Sequence, residues 1–314
     1  MSFSSTTKNQ LAKQFSHNTC CQLAEFLALT KMDGTISFNR KKGVSLYITT
    51  ENPAVARKIF KLTKAIFDTP GELLVYKKNR LKKNNIYEIC VPPQFRMEEI
   101  FVALNLMDEN REWNTQFRDS FPWEHVKKDC CKRAYLRGAF LGGGSVNDPE
   151  GAYHMEIVSN RATQAEAMQK LLEDFGIHAK ICQRKNVHVL YLKDGPQIVE
   201  FLNHIGAHQA LLSFENTRIV KEIHNKINRQ SNFDMANVNK IAHSALEQKM
   251  AIELIKEKIS LDNLPPRLQE IAELRLENMG MGLNELAQLT DPPVSKSGAN
   301  HRLKKLMKIA ENLK

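Results

Sequence analysis

DPPVSKSGANHRLKKLMKIAENL, residues 291–313, is the stretch whose reading decides the fold at the C-terminal end. Asp291-Pro292-Pro293 cannot sit inside a helix and reads as a turn. Ser295 follows as the N-cap of a helix expected to run to about Leu313. At 100° per residue, Ala299, Leu303, Leu306, Ala310 and Leu313 form one stripe, which a core takes. Ser297, His301, Lys304 and Lys308 line the opposite side, flanked by Asn300 and Lys305. The single acid on that side, Glu311, comes near its end.

The residues before this stretch read as further helices. Ala245–Ile259 is one, broken off at Leu264-Pro265-Pro266. Arg267–Asn278 is another, with Leu268, Ile271, Ala272, Leu274 and Leu276 as its apolar positions. It is expected to stop at Gly280 and Gly282, residues that permit the positive φ of a helix end. A short helix, Asn284–Leu289, carries Leu286 and Leu289. Acids dominate here: Glu270, Glu273, Glu277, Glu285 and Asp291 stand against Arg267 and Arg275. A short helix, a turn and a basic helix in that order make a helix-turn-helix, whose second helix enters the DNA major groove N-terminus first. Lysines alone would equally suit a solvated face. Ser297, Asn300 and His301, gathered at the helix start, have the length to reach base edges and phosphate oxygens. The candidate DNA-binding set is Leu283, Asn284, Ser295, Lys296, Ser297, Asn300, His301, Arg302, Lys304, Lys305 and Lys308.

The first 210 residues repeat themselves. Cys20-Cys21 recurs as Cys130-Cys131, Ala24 as Ala134 and Gly34 as Gly144, all at an offset of 110. Each half, about 17–110 and 126–210, opens with a helix ending in glycine (19–32 and 126–141). A β-pair follows: Thr35–Phe38 with Val44–Thr49, and Gly144–Val146 with Tyr153–Val158. Next comes an amphipathic helix, Pro53–Phe67 and Ala162–Phe175. A second β-pair, Glu72–Lys77 with Ile86–Val91 and His178–Arg184 with Val187–Leu192, leads to a closing helix, Met97–Leu106 and Pro196–Ile205. The order αββαββα thus occurs twice, and the fold class is α+β followed by an all-α domain over 242–314. Residues 211–241 turn polar. Asn228–Asp234 breaks the periodicity and reads as a linker within this connector.

Composition sets the outer bounds. A chain of 314 residues, 42% hydrophobic and 25% charged, can bury two or three ordinary cores. No stretch has the eighteen or so apolar residues of a membrane span, and MSFSSTTKNQLAKQF lacks a signal-peptide core, so a cytoplasmic place is expected. The net charge of +10 fits a polyanion partner, because clustered cations release counterions from a phosphate backbone. In the first half, Arg40, Lys41 and Lys42 form one hairpin tip, with Lys77, Lys78 and Arg80 at another. These are candidate secondary phosphate contacts. The six cysteines, Cys20, Cys21, Cys90, Cys130, Cys131 and Cys182, form no CxxC, so the usual zinc spacing is absent. They read as small buried apolar residues, with no metal or cofactor expected.

With these residues laid out, the chain resembles the WhiA family of bacterial sporulation and cell-division regulators. The most specific stretches are Gly282-Leu283-Asn284-Glu285-Leu286 and Asp291 to Leu303, supported by Ala236-Asn237-Val238-Asn239-Lys240. The resemblance implies a domain of the LAGLIDADG homing-endonuclease fold joined to a helix-turn-helix similar to sigma-factor region four. It also implies roles in cell division and chromosome segregation, with sporulation where the organism sporulates. Residues 26–34 (FLALTKMDG) and 136–144 (LRGAFLGGG) occupy the two LAGLIDADG motifs. In active enzymes of that fold, the acid before each motif's last glycine binds a divalent metal. Here it survives as Asp33 and is replaced by Gly143, while the less critical first acid is Lys31 and Leu141.

Hydrolysis of two phosphodiesters needs carboxylates to hold the metals, so this pair is read as vestigial and the chain as a non-enzymatic DNA-binding protein acting at the nucleoid. Two alternatives stand beside that reading. One is an active metal-dependent homing-type endonuclease; the other is a scaffold contacting transcription or division proteins. The oligomeric state stays open.

Overall fold

The computed structural model describes residues 2–39, 43–68, 71–77, 85–91, 101–102, 106–108, 110, 112 and 120–313. The described chain divides into two compact units, Met1–Val220 and Lys221–Lys314.

The first unit opens with a helix that the sequence reading missed, α1 (Phe3–Lys13), capped by Ser2. The first half then runs α2 (Thr19–Asp33), β1 (Gly34–Asn39), β2 (Gly43–Thr50), α3 (Pro53–Phe67), β3 (Glu72–Lys77) and β4 (Asn85–Val91). The second half repeats this order with α4 (Asp129–Gly143), β5 (Gly144–Val146), β6 (Met155–Ser159), α5 (Ala162–Glu173), β7 (Lys180–Arg184), β8 (Val187–Leu192) and α6 (Gly195–Ile205). Each half folds one antiparallel sheet in the same spatial order, β1-β2-β4-β3 and β5-β6-β8-β7. The duplicated α+β fold is therefore as read. The closing helix expected over 97–106 lies mostly outside the described residues.

Local chemistry starts and stops these elements. Asn52 accepts from the backbone N–H groups of Ala54 and Val55 at 2.8 and 3.2 Å, and Pro53 supplies a first-turn φ to α3. Asp194 does the same for α6 through Gln197 N–H, and Gly206, at φ 86°, ends it. Helices α2 and α4 are buried almost all round, as central helices must be. They meet backbone to backbone: a Cβ on Gly138 would stand 2.5 Å from Glu25 O and 2.8 Å from Ala28 Cβ.

The core of this crossing holds ions as well as leucines. Glu25, fully buried on α2, accepts from Arg137 Nε and Nη2 on α4 at 2.9 and 3.1 Å. It also pairs with Lys58 of α3 at 2.5 Å, whose ammonium donates to the carbonyls of Leu11 and Gln14. Burial lowers the Lys58 pKa, and Glu25 raises it.

The connector reading is corrected by α7 (His208–Ile259), a single helix of 52 residues. Asn228–Asp234 is helical because it contains neither Gly nor Pro. Its lost periodicity records solvation, since residues 222–243 are all exposed. Gln230 donates to Asp234 one turn on, at 3.1 Å. Among the described residues, no helix is long and apolar enough to cross a membrane.

The second unit adds α8 (Pro266–Glu277), α9 (Leu283–Gln288) and α10 (Lys296–Glu311). Its core joins Ile252 and Ile255 of α7 to Leu268, Ile271, Leu286, Ala299, Leu303, Leu306 and Ala310. Gly280 and Gly282 do not use the positive φ open to them; among the described glycines Gly176 and Gly206 do. Instead α8 ends at Asn278, and Gly282 (φ −70°) precedes α9 as its N-cap.

Candidate nucleic-acid interface

The turn into α10 is fixed by one buried hydroxyl. Thr290 Oγ1 donates toward the carbonyls of Ala287 (3.0 Å) and Pro292 (3.1 Å), and accepts from Val294 N–H at 3.1 Å. Val294 N–H also reaches Ala287 O at 3.0 Å. Ser295 caps α10 as expected, accepting from Gly298 N–H at 3.2 Å, with Ser297 Oγ 2.9 Å from its hydroxyl. On the α9 side, Glu285 accepts from Gly282 N–H at 2.9 Å. The angle at which α10 leaves the turn is thus set by backbone and short side chains.

The helix splits as its pattern dictates. Ala299, Leu303, Leu306 and Ala310 are buried, and Leu313 lies half-buried against the same core. Ser295, Lys296, Ser297, His301, Lys304, Lys305 and Lys308 are exposed, as is Asn284 on α9; Asn300 is half-buried. This surface offers hydroxyl, amide and imidazole groups near a helix start and cations further along. Such a set can donate to phosphate and to base edges.

Two members of the candidate set are committed elsewhere. Leu283 packs against the core. Arg302 donates to Glu270 of α8 at 3.1 Å, and Glu270 also accepts from Asp291 N–H at 2.6 Å. Arg302 therefore ties α10 to α8 and the turn. Sequence reasoning missed Arg275, which is 2% exposed and donates to the carbonyls of Met281 (2.8 Å) and Asn278 (3.3 Å) between α8 and α9. A signal existed: Arg275 shares the apolar face of Leu268, Ile271 and Ala272.

In the first unit, Asp33 and Gly143 close α2 and α4. A Cβ at Gly143 would meet both Met32 Cε and Val158 O at 2.4 Å, so the second acid has no room. Asp33 lies beside Gly142 and near Lys8, whose ammonium donates to Gly142 O at 3.3 Å. Burial pushes the Asp33 pKa up to about 6, against the pull of Lys8. Lys31 donates to Ser120 O at 3.0 Å, and Leu141 is buried. One carboxylate beside an ammonium, opposite a filled position, does not fit the divalent metals of the endonuclease fold. Of the proposed secondary contacts, Lys77 is exposed at the end of β3. Arg40, Lys41, Lys42, Lys78 and Arg80 lie outside the described residues.

The cysteines depart from the buried-apolar expectation. Cys21, Cys90 and Cys131 are buried, but Cys20 and Cys130 are exposed and Cys182 is intermediate. Cys20 and Cys130 stand in the first turns of α2 and α4, and Cys182 lies in β7.

Comparison with known proteins agrees with this architecture. Residues 19–107 match the WhiA N-terminal LAGLIDADG-like domain. Residues 132–224 match the WhiA LAGLIDADG-like domain and 227–310 the WhiA C-terminal HTH domain. A "Probable cell division protein WhiA" of Heliobacterium modesticaldum is 47% identical over 311 residues, covering 99% of this chain and 96% of that one. Its namesake in Desulforamulus reducens is 45% identical, covering 100% and 97%. The solved structure of full-length DUF199/WhiA from Thermatoga maritima is 28% identical, with a TM-score of 0.60 and 99% of each chain covered.

Proposed function

Since the chain belongs to the WhiA family, we propose that it is a non-enzymatic, sequence-reading DNA-binding protein of cell division and chromosome segregation. Where the organism sporulates, the proposed role extends to sporulation. Its ligand is duplex DNA, and it works in the cytoplasm at the nucleoid. The observation that carries the reading is the division of α10 into a buried Ala/Leu stripe and an exposed Ser/His/Lys face. Ser297, Asn300 and His301 read bases; Lys296, Lys304, Lys305 and Lys308 hold phosphates. The exposed Asn284, on the preceding helix, steadies the backbone contact.

The first unit serves as a folded platform without nuclease chemistry, a reading supported by the lack of room for an acid at Gly143. The deciding experiment compares the full chain with one ending before Lys296 in binding to duplex DNA. Loss of at least tenfold in affinity is expected on truncation. Equal affinity of the two overturns the assignment of α10.

A further inference from the structure

Four sulfurs from opposite halves of the first unit converge at one place. Cys20 and Cys21 lie in the first turn of α2, and Cys130 and Cys131 in the first turn of α4. Their Sγ atoms all lie within 4.8 Å of one another, and those of Cys130 and Cys131 are 3.9 Å apart. Four sulfurs held about 2.3 Å from one zinc ion would stand about 3.8 Å apart. Closing this cluster onto an ion therefore takes shifts of about half an ångström per sulfur, within the reach of small χ1 adjustments. We propose that Cys20, Cys21, Cys130 and Cys131 form a tetrahedral thiolate site for one zinc ion.

Both sulfur pairs lie at helix N-termini. There the positive end of each helix dipole favours thiolate, and neither N-cap, Asn18 or Lys128, supplies a side-chain acceptor. An open cleft lined by Asn18, Cys21, Cys130, Arg133, Arg137 and His204 gives the ion a route from solvent. With two sulfurs buried and two exposed, the site is reachable yet anchored. Four protein ligands leave no open coordination position, so the ion is structural. It fastens the start of α2 to the start of α4, with ligands drawn equally from the two halves. The missing CxxC spacing is no obstacle, because α2 and α4 supply the second pair of ligands from 110 residues away.

The test uses the full-length chain, purified under reducing conditions and loaded with zinc or cobalt alone. One ion per chain is expected. The cobalt form should show the intense visible bands of tetrahedral cobalt together with near-ultraviolet thiolate charge transfer. Cys20→Ser and Cys130→Ser, both at exposed positions, should keep the fold and weaken zinc binding by more than about 100-fold, beyond the 10–100-fold that loss of a supporting outer group costs. Cys182→Ser should bind as the parent does. A strong chelator should lower the thermal midpoint of the parent but not of the doubly substituted C20S/C130S chain. The proposal is overturned by less than half an ion per chain after loading, by an octahedral cobalt spectrum, or by parental zinc affinity in both exposed-cysteine variants. Disulfides among these four residues that exclude zinc in the reduced preparation would overturn it as well.

Discussion

Arg137 of the second half grips Glu25 of the first through two parallel hydrogen bonds, 2.9 and 3.1 Å long, at a fully buried carboxylate. The same carboxylate neutralises Lys58. One acid thus compensates two cations in the interior where α2, α3 and α4 meet. A buried ion set of this kind is weak evidence for added stability, but removing one member strands the others. Glu25→Gln should destabilise the first unit by about 3–5 kcal/mol. Tryptophan fluorescence reads this unit selectively, because Trp123 belongs to it and residues 221–314 contain no tryptophan. A denaturation midpoint unchanged from the parent would contradict the assignment.

Asp33 gives a pH dependence whose sign follows from its pKa. Burial raises that pKa to about 6, above its ordinary 3.8, so the folded unit holds the proton more tightly than the unfolded chain. The stability contributed by this group is full below about pH 4. It drains away as the pH rises through 6 and is flat beyond. Asp33→Asn keeps the neutral shape and should raise the first unit's stability at pH 7 by an amount on the order of 1 kcal/mol. The gain should vanish near pH 4. Unfolding curves for both chains at those two pH values provide the check, and a variant weaker at pH 7 would refute the sign.

Restoring the absent acid should not restore cleavage. Gly143→Asp forces a Cβ against Met32 and Val158 O, and such overpacking costs about 1–3 kcal/mol or more. A magnesium-dependent plasmid-nicking assay should remain blank for parent and variant alike. Nicking by the parent that is lost in Asp33→Asn would mean that the cleft is catalytic after all.

Lys304 and Lys308 are exposed, so their removal leaves the fold alone. Replacing both with alanine should weaken DNA binding and reduce the slope of log affinity against log salt by about one unit per lost phosphate contact. His301→Ala should instead alter base preference. A salt titration settles the first point and a binding-site selection the second; an unchanged slope would count against this face.

Arg302 behaves differently because it is tied to Glu270. Arg302→Gln should destabilise the second unit by about 1–3 kcal/mol, the range for losing a charged hydrogen bond. Circular dichroism melting of this variant beside Lys304→Ala separates the roles: the first should melt earlier and the second with the parent.

Much of the architecture was legible where local chemistry speaks for itself. The limits of α3 follow from Asn52 and Pro53, those of α10 from Ser295 and its leucine stripe, and the duplication from the recurring order of elements. Misreadings arose where solvation or distant contacts decide. The middle of α7 lacks an apolar stripe and therefore looked like a linker. Helix α1 buries only Thr7 and Leu11, too little to leave a pattern. Arg302 looked like a DNA contact because its acidic partner lies 32 residues earlier. The cysteine cluster arises from two dipeptides brought together only by the crossing of α2 and α4. The repeat offset had already placed those dipeptides at matching positions.

Gly138 has a wider meaning. A helix surface bared to its main chain at that point fits one neighbour, and that neighbour is the matching helix of the other half. Neither half owns a complete interior, so a chain severed between them would yield two fragments with raw apolar helices. The two halves should therefore unfold together, as one cooperative unit.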